Sequence, residues 1–240
     1  MPLQIKLAIF NLENTTSVTV LSAIVGEVEN QNPDFVLFTN VWMEPYFPKS
    51  LIKTLKSKGW VTDSYSQLGD RNSLKTREIL FRKKSIILDG KVIDTHFDQT
   101  QYGFRTFCYL IPTDQRDPPT RKVIIKTFTL DEDVEVFRRK SQLTHLLEGD
   151  VNLQVPEIVL SDFRVPDWED YPTHRGWVDL YEVEGSSSED VNYESSRRDR
   201  IWVRENTALV KSLSSAEFPG LEEKLAGDKK MTIGVLEFRE

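Results

Sequence analysis

Cysteine occurs once in these 240 residues, at Cys108, so the chain has no intramolecular disulfide. Such sparing use points to a reduced compartment, cytoplasmic or nuclear. Histidine occurs three times, at His96, His145 and His174. With one cysteine, that leaves a Cys/His metal centre out of reach. No apolar run approaches the roughly 18 residues a membrane helix needs, so no membrane partner is expected. Positive charge is also short: 31 Lys and Arg stand against 38 Asp and Glu, for a net charge of −7. Broad adhesion to nucleic acid is therefore disfavoured, and any such contact needs a local basic patch. The start, Met1-Pro2-Leu3-Gln4-Ile5-Lys6, passes into a strand-like run without a cleavable signal. No internal repeat or interdomain linker is visible, and residues 1–240 read as one domain.

What is present is a succession of short apolar runs with few helices. Ile5–Phe10 and Phe35–Phe38 read as buried strands, the second ending at Thr39-Asn40. Between them Val20, Leu21, Ile24 and Val28 fall at helical spacing over about 17–30, closed by Asn32-Pro33-Asp34. A short amphipathic helix is predicted over 51–58, and another over 134–147 with Val136, Leu143, Leu146 and Leu147 on its apolar face. Strands are predicted over 79–82, 85–93, 104–111, 123–128, 158–160, 177–181, 200–203, 208–210 and 231–238. Residues 113–121 read as a polar hairpin tip and 182–198 as a mobile loop.

The chain is organised around Pro156–Pro166. Ile158-Val159-Leu160 is a buried strand entered through a proline, and it delivers Ser161, Asp162 and Arg164 where the strand gives way to a loop. A turn-opening aspartate before Pro166 is the structural alternative. Four other polar clusters sit beside apolar strands in the same way: Asn11/Glu13, Asn40, Asp199 and Asp228. Oxygen-rich side chains gathered at strand ends suit a hard cation such as magnesium.

In order along nearly the whole chain, these stretches resemble the endonuclease/exonuclease/phosphatase superfamily. Phe10-Asn11-Leu12-Glu13 resembles its opening W-N-[IV]-x motif, and Pro33–Asn40 its P-D-[IV]-[IL]-x-L-Q-E. Leu160-Ser161-Asp162-Phe163-Arg164 resembles [LA]-G-D-F-N, and Gly176-Trp177-Val178-Asp179 the G-[FLW]-x-D that follows. Arg197–Val203 resembles R-[IF]-D-[YR]-I-[FL]-[FV], with the arginine after Asp199 similar to the tyrosyl-DNA phosphodiesterase branch. Gly227-Asp228-Lys229 falls where S-D-H precedes the last strand. The resemblance implies an α/β (α+β) fold: a four-layer α/β/β/α sandwich of two packed mixed β-sheets flanked by helices. It also implies a magnesium-dependent phosphodiesterase site, with Asn11 and Glu13 at the metal, Asp162 orienting the nucleophile, Asp228 holding the site and Asp199 orienting a histidine.

The departures fall on the catalytic positions. The glutamate that is a principal magnesium ligand in active members is Asn40, and the phosphate-contacting histidine is Lys229. The asparagine of G-D-F-N is Arg164, and the N-T-H strand end has become Lys126-Thr127-Phe128. The favoured reading is a degenerate active site on a binding or scaffold module, with no cofactor and an unidentified protein partner. In it, Asp162, Asp199, Asp228 and Lys229 are vestigial or reassigned, and Arg164, Lys229 and Arg200 either pair with those acids or hold an anion such as a phosphate ester or nucleic acid end. The alternative is an active Mg²⁺-dependent phosphodiesterase with a reassigned centre, the metal held at Asn11, Glu13 and Asn40 or by Glu13 with Asp162. A third reading, an acidic interaction protein with no inherited pocket, gains if the strand ends do not converge.

Arg197, Arg198, Arg200 and Arg204 form a basic cluster, read chiefly as a solvated strand face or as partners of the acidic loop. The five tryptophans read as core or rim packing, with Trp168 and Tyr193 as candidates for base stacking. Cys108 reads as a small buried hydrophobe.

Overall fold

The computed structural model describes residues 4–12, 18–42, 47–63, 76–96, 103–113, 120–129, 136–147, 155–162, 176–179, 199–204, 208–216 and 231–238. Among these residues thirteen strands and three helices follow in the order β1 (Gln4–Asn11), α1 (Val18–Gln31), β2 (Phe35–Trp42), α2 (Phe47–Ser57), β3 (Trp60–Thr62), β4 (Thr76–Lys83), β5 (Ile87–Leu88), β6 (Ile93–His96), β7 (Gly103–Pro112), β8 (Thr120–Thr129), α3 (Val136–Leu147), β9 (Glu157–Asp162), β10 (Trp177–Asp179), β11 (Asp199–Arg204), β12 (Ala208–Ala216) and β13 (Met231–Phe238). They form two mixed sheets: six strands ordered β12-β13-β1-β2-β4-β3, and seven ordered β10-β11-β9-β8-β7-β5 with β6 also on β7. Among the described residues, no helix is long and apolar enough to cross a membrane.

Strand alternation splits the first sheet between two cores. Ile5, Leu7, Ile9, Phe35 and Leu37 face the second sheet, where Phe107, Tyr109, Ile125, Ile158, Leu160 and Ile201 meet them. Ala8, Phe10, Val36, Phe38 and Phe81 face the other way, onto Val20, Leu21, Ile24 and Val28 of α1 and Leu51 and Leu55 of α2. The C-terminal end of α3 lies on the outer side of the second sheet, where its carbonyls meet side chains of β8, β10 and β11. The four layers are those the resemblance implied.

Local chemistry explains most element ends. Asn32 closes α1 in a left-handed conformation (φ 46°), its N–H donating to the Val28 carbonyl at 2.9 Å, and Pro33 prevents continuation. Asp34 then ties three strands together. Its carboxylate accepts the Lys6 backbone N–H at 2.8 Å and the Lys83 ammonium at 3.0 Å, and its carbonyl accepts the Lys83 N–H at 3.0 Å.

Three expectations need correcting. The predicted strand over 85–93 is two strands, β5 and β6, because Gly90 turns the chain with φ 93° while Asp89 donates its N–H to the Cys108 carbonyl at 2.7 Å. The late strand over 208–210 runs on to Ala216, since the polar Ser212, Ser214 and Ser215 still pair with β13 after a register shift. The second strand does not end at Thr39-Asn40 but continues to Trp42.

Two charged clusters replace apolar contacts. Arg82 donates from Nε and Nη2 to both oxygens of Asp63 at 2.5 and 2.7 Å, and from Nη1 to the Ile86 carbonyl. Tyr109, buried between the sheets, donates its hydroxyl to Asp63 at 3.3 Å. Burial, reinforced by the Asp63 carboxylate, pushes its phenol far above the ordinary value. A raised acid keeps its proton longer in the folded chain, so stability is intact below the unfolded value near pH ~10 and is lost as pH climbs beyond it. The unfolding free energy is expected to fall by up to ~1.4 kcal/mol per pH unit above about pH 10. Tyr109→Phe should remove that share of the slope. Urea melts at a series of alkaline pH values test this, and identical slopes for the two proteins would refute it.

The second cluster lies beneath α3. Glu157 pairs with Lys126 through one oxygen and with Arg204 Nε through the other at 2.6 Å, all three side chains being buried. Lys126 and Arg204 also donate to the terminal carbonyls of α3, at Leu146 and Leu147, each at 3.2 Å. This corrects the reading of Arg204 as part of a solvated basic face. It is buried, and its guanidinium stacks 4.6 Å from the centre of the Trp177 ring.

A candidate site at one rim of the paired sheets

Two cross-sheet contacts fix the relative direction of the strands. The Phe35 ring, opening β2, lies 5.0 Å from that of Tyr109, which pairs with Val123 near the start of β8. The Arg121 guanidinium, also at the start of β8, sits 5.8 Å from the Phe238 ring, level with the start of β1. Since β1 is parallel to β2 and β8 is parallel to β9, all four leave one rim and finish at the other. The strands that carry Asn11, Asn40 and Asp162 therefore end together. Antiparallel β11 begins there, with Asp199 directly opposite Asp162 in the register. Across the core β1 packs on β9 and β11, and β2 on β9.

Alternation places these residues on particular rows. Ile5, Leu7 and Ile9 face the second sheet, and Asn11 is the next position of that row. Ile158 and Leu160 likewise precede Asp162, and Ile201 and Val203 follow Asp199 at the same parity. In the backbone register Asp162 and Asp199 are thus paired at the end of the second sheet, at the rim where β1 brings Asn11.

Asn40 arrives differently. In a regular strand it would continue the Val36–Phe38 row into the helix-facing core. Instead the pairing with β4 slips between Phe38 and Val41, and Asn40 takes a left-handed conformation, φ 51°. The bulge hands the helix-facing position to Val41, fully buried, and turns Asn40 toward β1. There its Nδ2 donates to Asn11 Oδ1 at 3.0 Å, and the adjacent Leu12 N–H donates to the Thr39 carbonyl at 2.9 Å. Asparagine tolerates positive φ far better than glutamate does. The residue at 40 thus has a backbone reason as well as a chemical one, and a motif alignment carries no signal of it. The Thr39 hydroxyl, buried beside the pair, has no hydrogen-bond partner.

These donors suit a magnesium ion poorly. Asn11 and Asn40 offer only neutral amide oxygens, and Asn11 Oδ1 already accepts an N–H that metal binding would have to displace. Of the remaining predicted residues, Asp162, Asp199 and Arg200 are described in their backbone alone, and Glu13, Arg164, Asp228 and Lys229 lie outside the described residues, as do Trp168 and Tyr193.

The remaining sequence candidates lie elsewhere and are occupied. Lys126 and Thr127, at the altered N-T-H position, are buried, the lysine in its ion pair with Glu157. Cys108 sits on the outer face with its Sγ 3.8 Å from Asp89, and burial pushes its thiol above the ordinary value, which leaves little thiolate at neutral pH. Trp60 and Trp202 are buried, as packing predicted.

No family model matches the sequence, and no curated protein does. Solved structures match over almost its full length. D. rerio TDP2 complexed with single-strand DNA product superposes with a TM-score of 0.71 at 14% identity, covering 98% of this chain and 99% of that one. The human Nocturnin catalytic domain with bound sulfate anion gives 0.69 at 15% identity, covering 99% and 94%. An endonuclease/exonuclease/phosphatase family protein from Bacteroides thetaiotaomicron gives 0.65 at 13%, covering both chains completely. At such identities the likeness is one of fold.

Proposed function

This chain has the fold of the endonuclease/exonuclease/phosphatase superfamily, and from that premise we propose that it is a catalytically degenerate member serving as a binding or scaffold module. The observation carrying this reading is the Asn40–Asn11 amide pair. Where active members present a carboxylate to the metal, two neutral amides bond to one another. The site loses a formal negative charge, and one of its oxygens is engaged. Removing a single electrostatic stabiliser from such sites typically costs about 100- to 1000-fold in turnover. The changes at Lys229 and Arg164 add to that loss, although groups that act as a unit need not multiply.

A second reading keeps one specific support. Asp162 and Asp199 are directly opposed at the rim, so carboxylate-bearing residues are still concentrated there. On that reading the chain is a working magnesium-dependent phosphodiesterase with a reassigned centre. Its substrate class is suggested by neighbours such as TDP2, solved with a single-strand DNA product, and Nocturnin, solved with a sulfate anion.

Calorimetry with magnesium and manganese separates the two. The native protein is expected to give no binding heat, and Asn40→Glu and Asn40→Asp to bind. The aspartate variant is the cleaner one, since its short side chain accepts the positive φ that strains glutamate. A gain of about tenfold corresponds to ~1.4 kcal/mol, well within what one carboxylate supplies beside a divalent ion. Clear binding by the native chain, together with hydrolysis of a phosphodiester panel lost in Asp162→Asn, would overturn the degenerate reading.

A further inference from the structure

Among the described residues, one edge of the second sheet leaves large apolar side chains exposed. β5 and β6 both pair with β7 on the side away from β8, and so form that edge together. They carry the two exposed large apolar side chains among the described residues, Ile87 at 54% and Ile93 at 60%. Ile87 is opposite Leu110 and Ile93 is opposite Thr106, whereas Phe107, Tyr109 and Ile111 face the inter-sheet core. Both isoleucines therefore share the outer face with Leu110. Exposed apolar side chains that share a face mark interaction surfaces more often than isolated ones do.

Among the described residues, basic side chains outnumber acidic ones around them. Lys84, Lys91 and Lys122 are exposed, although the chain as a whole carries −7. The two acids of the edge segment are engaged by cations, Asp89 by Lys122 at 2.7 Å and Asp94 by Arg105 at 3.0 Å. Among the described residues that leaves Lys84 and Lys91 as the exposed cations of the edge segment outside an ion pair. The spacing of the isoleucines narrows the shape of the occupant. Their β7 partners are four residues apart in an extended strand, a separation of about 13 Å. Four residues of an extended chain span that distance, whereas four residues of helix span only about 6 Å.

We propose that the β5–β6 edge docks an acidic, extended segment of a partner protein, which seats apolar side chains four residues apart on Ile87 and Ile93. A second copy of this chain is disfavoured as the occupant, because a two-fold contact through this edge would bring two like-charged lysine pairs into one interface.

The probe is a panel of labelled synthetic peptides with two leucines at four-residue spacing, in glutamate-rich, serine-rich and lysine-rich versions, read by fluorescence anisotropy. The acidic peptide should bind and the lysine-rich one should not. Ile87→Ser with Ile93→Ser should weaken binding by at least about tenfold, as loss of paired anchors does, and Lys84→Glu with Lys91→Glu should do the same. All four positions are exposed, so thermal melts of these variants are expected to match the native chain. No binding to any peptide, or binding indifferent to the isoleucines or to charge, overturns the proposal. So does a concentration-dependent dimer by light scattering that the double serine variant abolishes, which would make the occupant a second copy.

Discussion

Glu157→Gln is expected to destabilise the protein by about 3–5 kcal/mol, the range for breaking a buried ion pair from one side. The carboxylate is the common partner of Lys126 and Arg204, and all three side chains are buried. Glutamine keeps an acceptor but removes the charge, leaving two cations beside one another in a poorly solvated layer. Among the contacts that stay are the C-terminal end of α3, whose Leu146 and Leu147 carbonyls accept from both, and the rings of Phe104 and Trp177. A helix terminus offsets a cation by about 0.3–1 kcal/mol, and by up to ~2 in buried geometries, which is too little for two. For a chain of this length the loss corresponds to a drop in melting temperature of roughly 6–20 °C. Circular dichroism melts check it. Lys126→Met placed on the Glu157→Gln background should recover part of the loss, because one stranded cation is then gone. A drop of under about 2 °C would mean that apolar contacts alone hold α3 in place.

Asp63→Ala is the second large effect, expected at about 3 kcal/mol. Asp63 follows the short β3, receives both arms of Arg82 and also the Tyr109 hydroxyl. Its removal leaves Arg82 with the Ile86 carbonyl, and a buried phenol with no acceptor there. The unpaired hydroxyl alone costs about 1–3 kcal/mol, and the partly buried guanidinium adds to it. Asp63→Asn should cost less, since the amide oxygen still accepts one bond. Tyr109→Phe combined with Asp63→Ala should be less than additive, because both remove the same hydrogen bond. Chemical denaturation of the four proteins completes the cycle. Full additivity would mean that the 3.3 Å contact contributes nothing.

The layered fold was legible because its signals are local and periodic. Alternation in Ile5–Phe10, the helical spacing of Val20, Leu21, Ile24 and Val28, and the apolar run Ile158–Leu160 each state which face is buried, and the structure buries those residues. Legibility failed where pairing overrode composition. The predicted strand stopped at Val210, short of the polar Ser212, Ser214 and Ser215, yet β13 supplies their backbone partners. Arg204 read as surface, yet Glu157, distant in sequence, comes beside it only when β9 and β11 align.

The candidate site divides in the same way. Motif order was enough to nominate Asn11, Asn40, Asp162 and Asp199, since strand ends are written in the sequence as a polar residue after an apolar run. Their meeting at one rim depends on strand direction in two sheets, which no local stretch encodes. Sequence alone determined that position 40 carries a neutral amide and not a carboxylate. Only the tertiary structure decided what that amide does: a bulge between Phe38 and Val41, set by pairing with β4, holds Asn40 at φ 51° and aims it at Asn11. A backbone conformation imposed by a neighbouring strand is a long-range property, and so it appears only once the chain has folded.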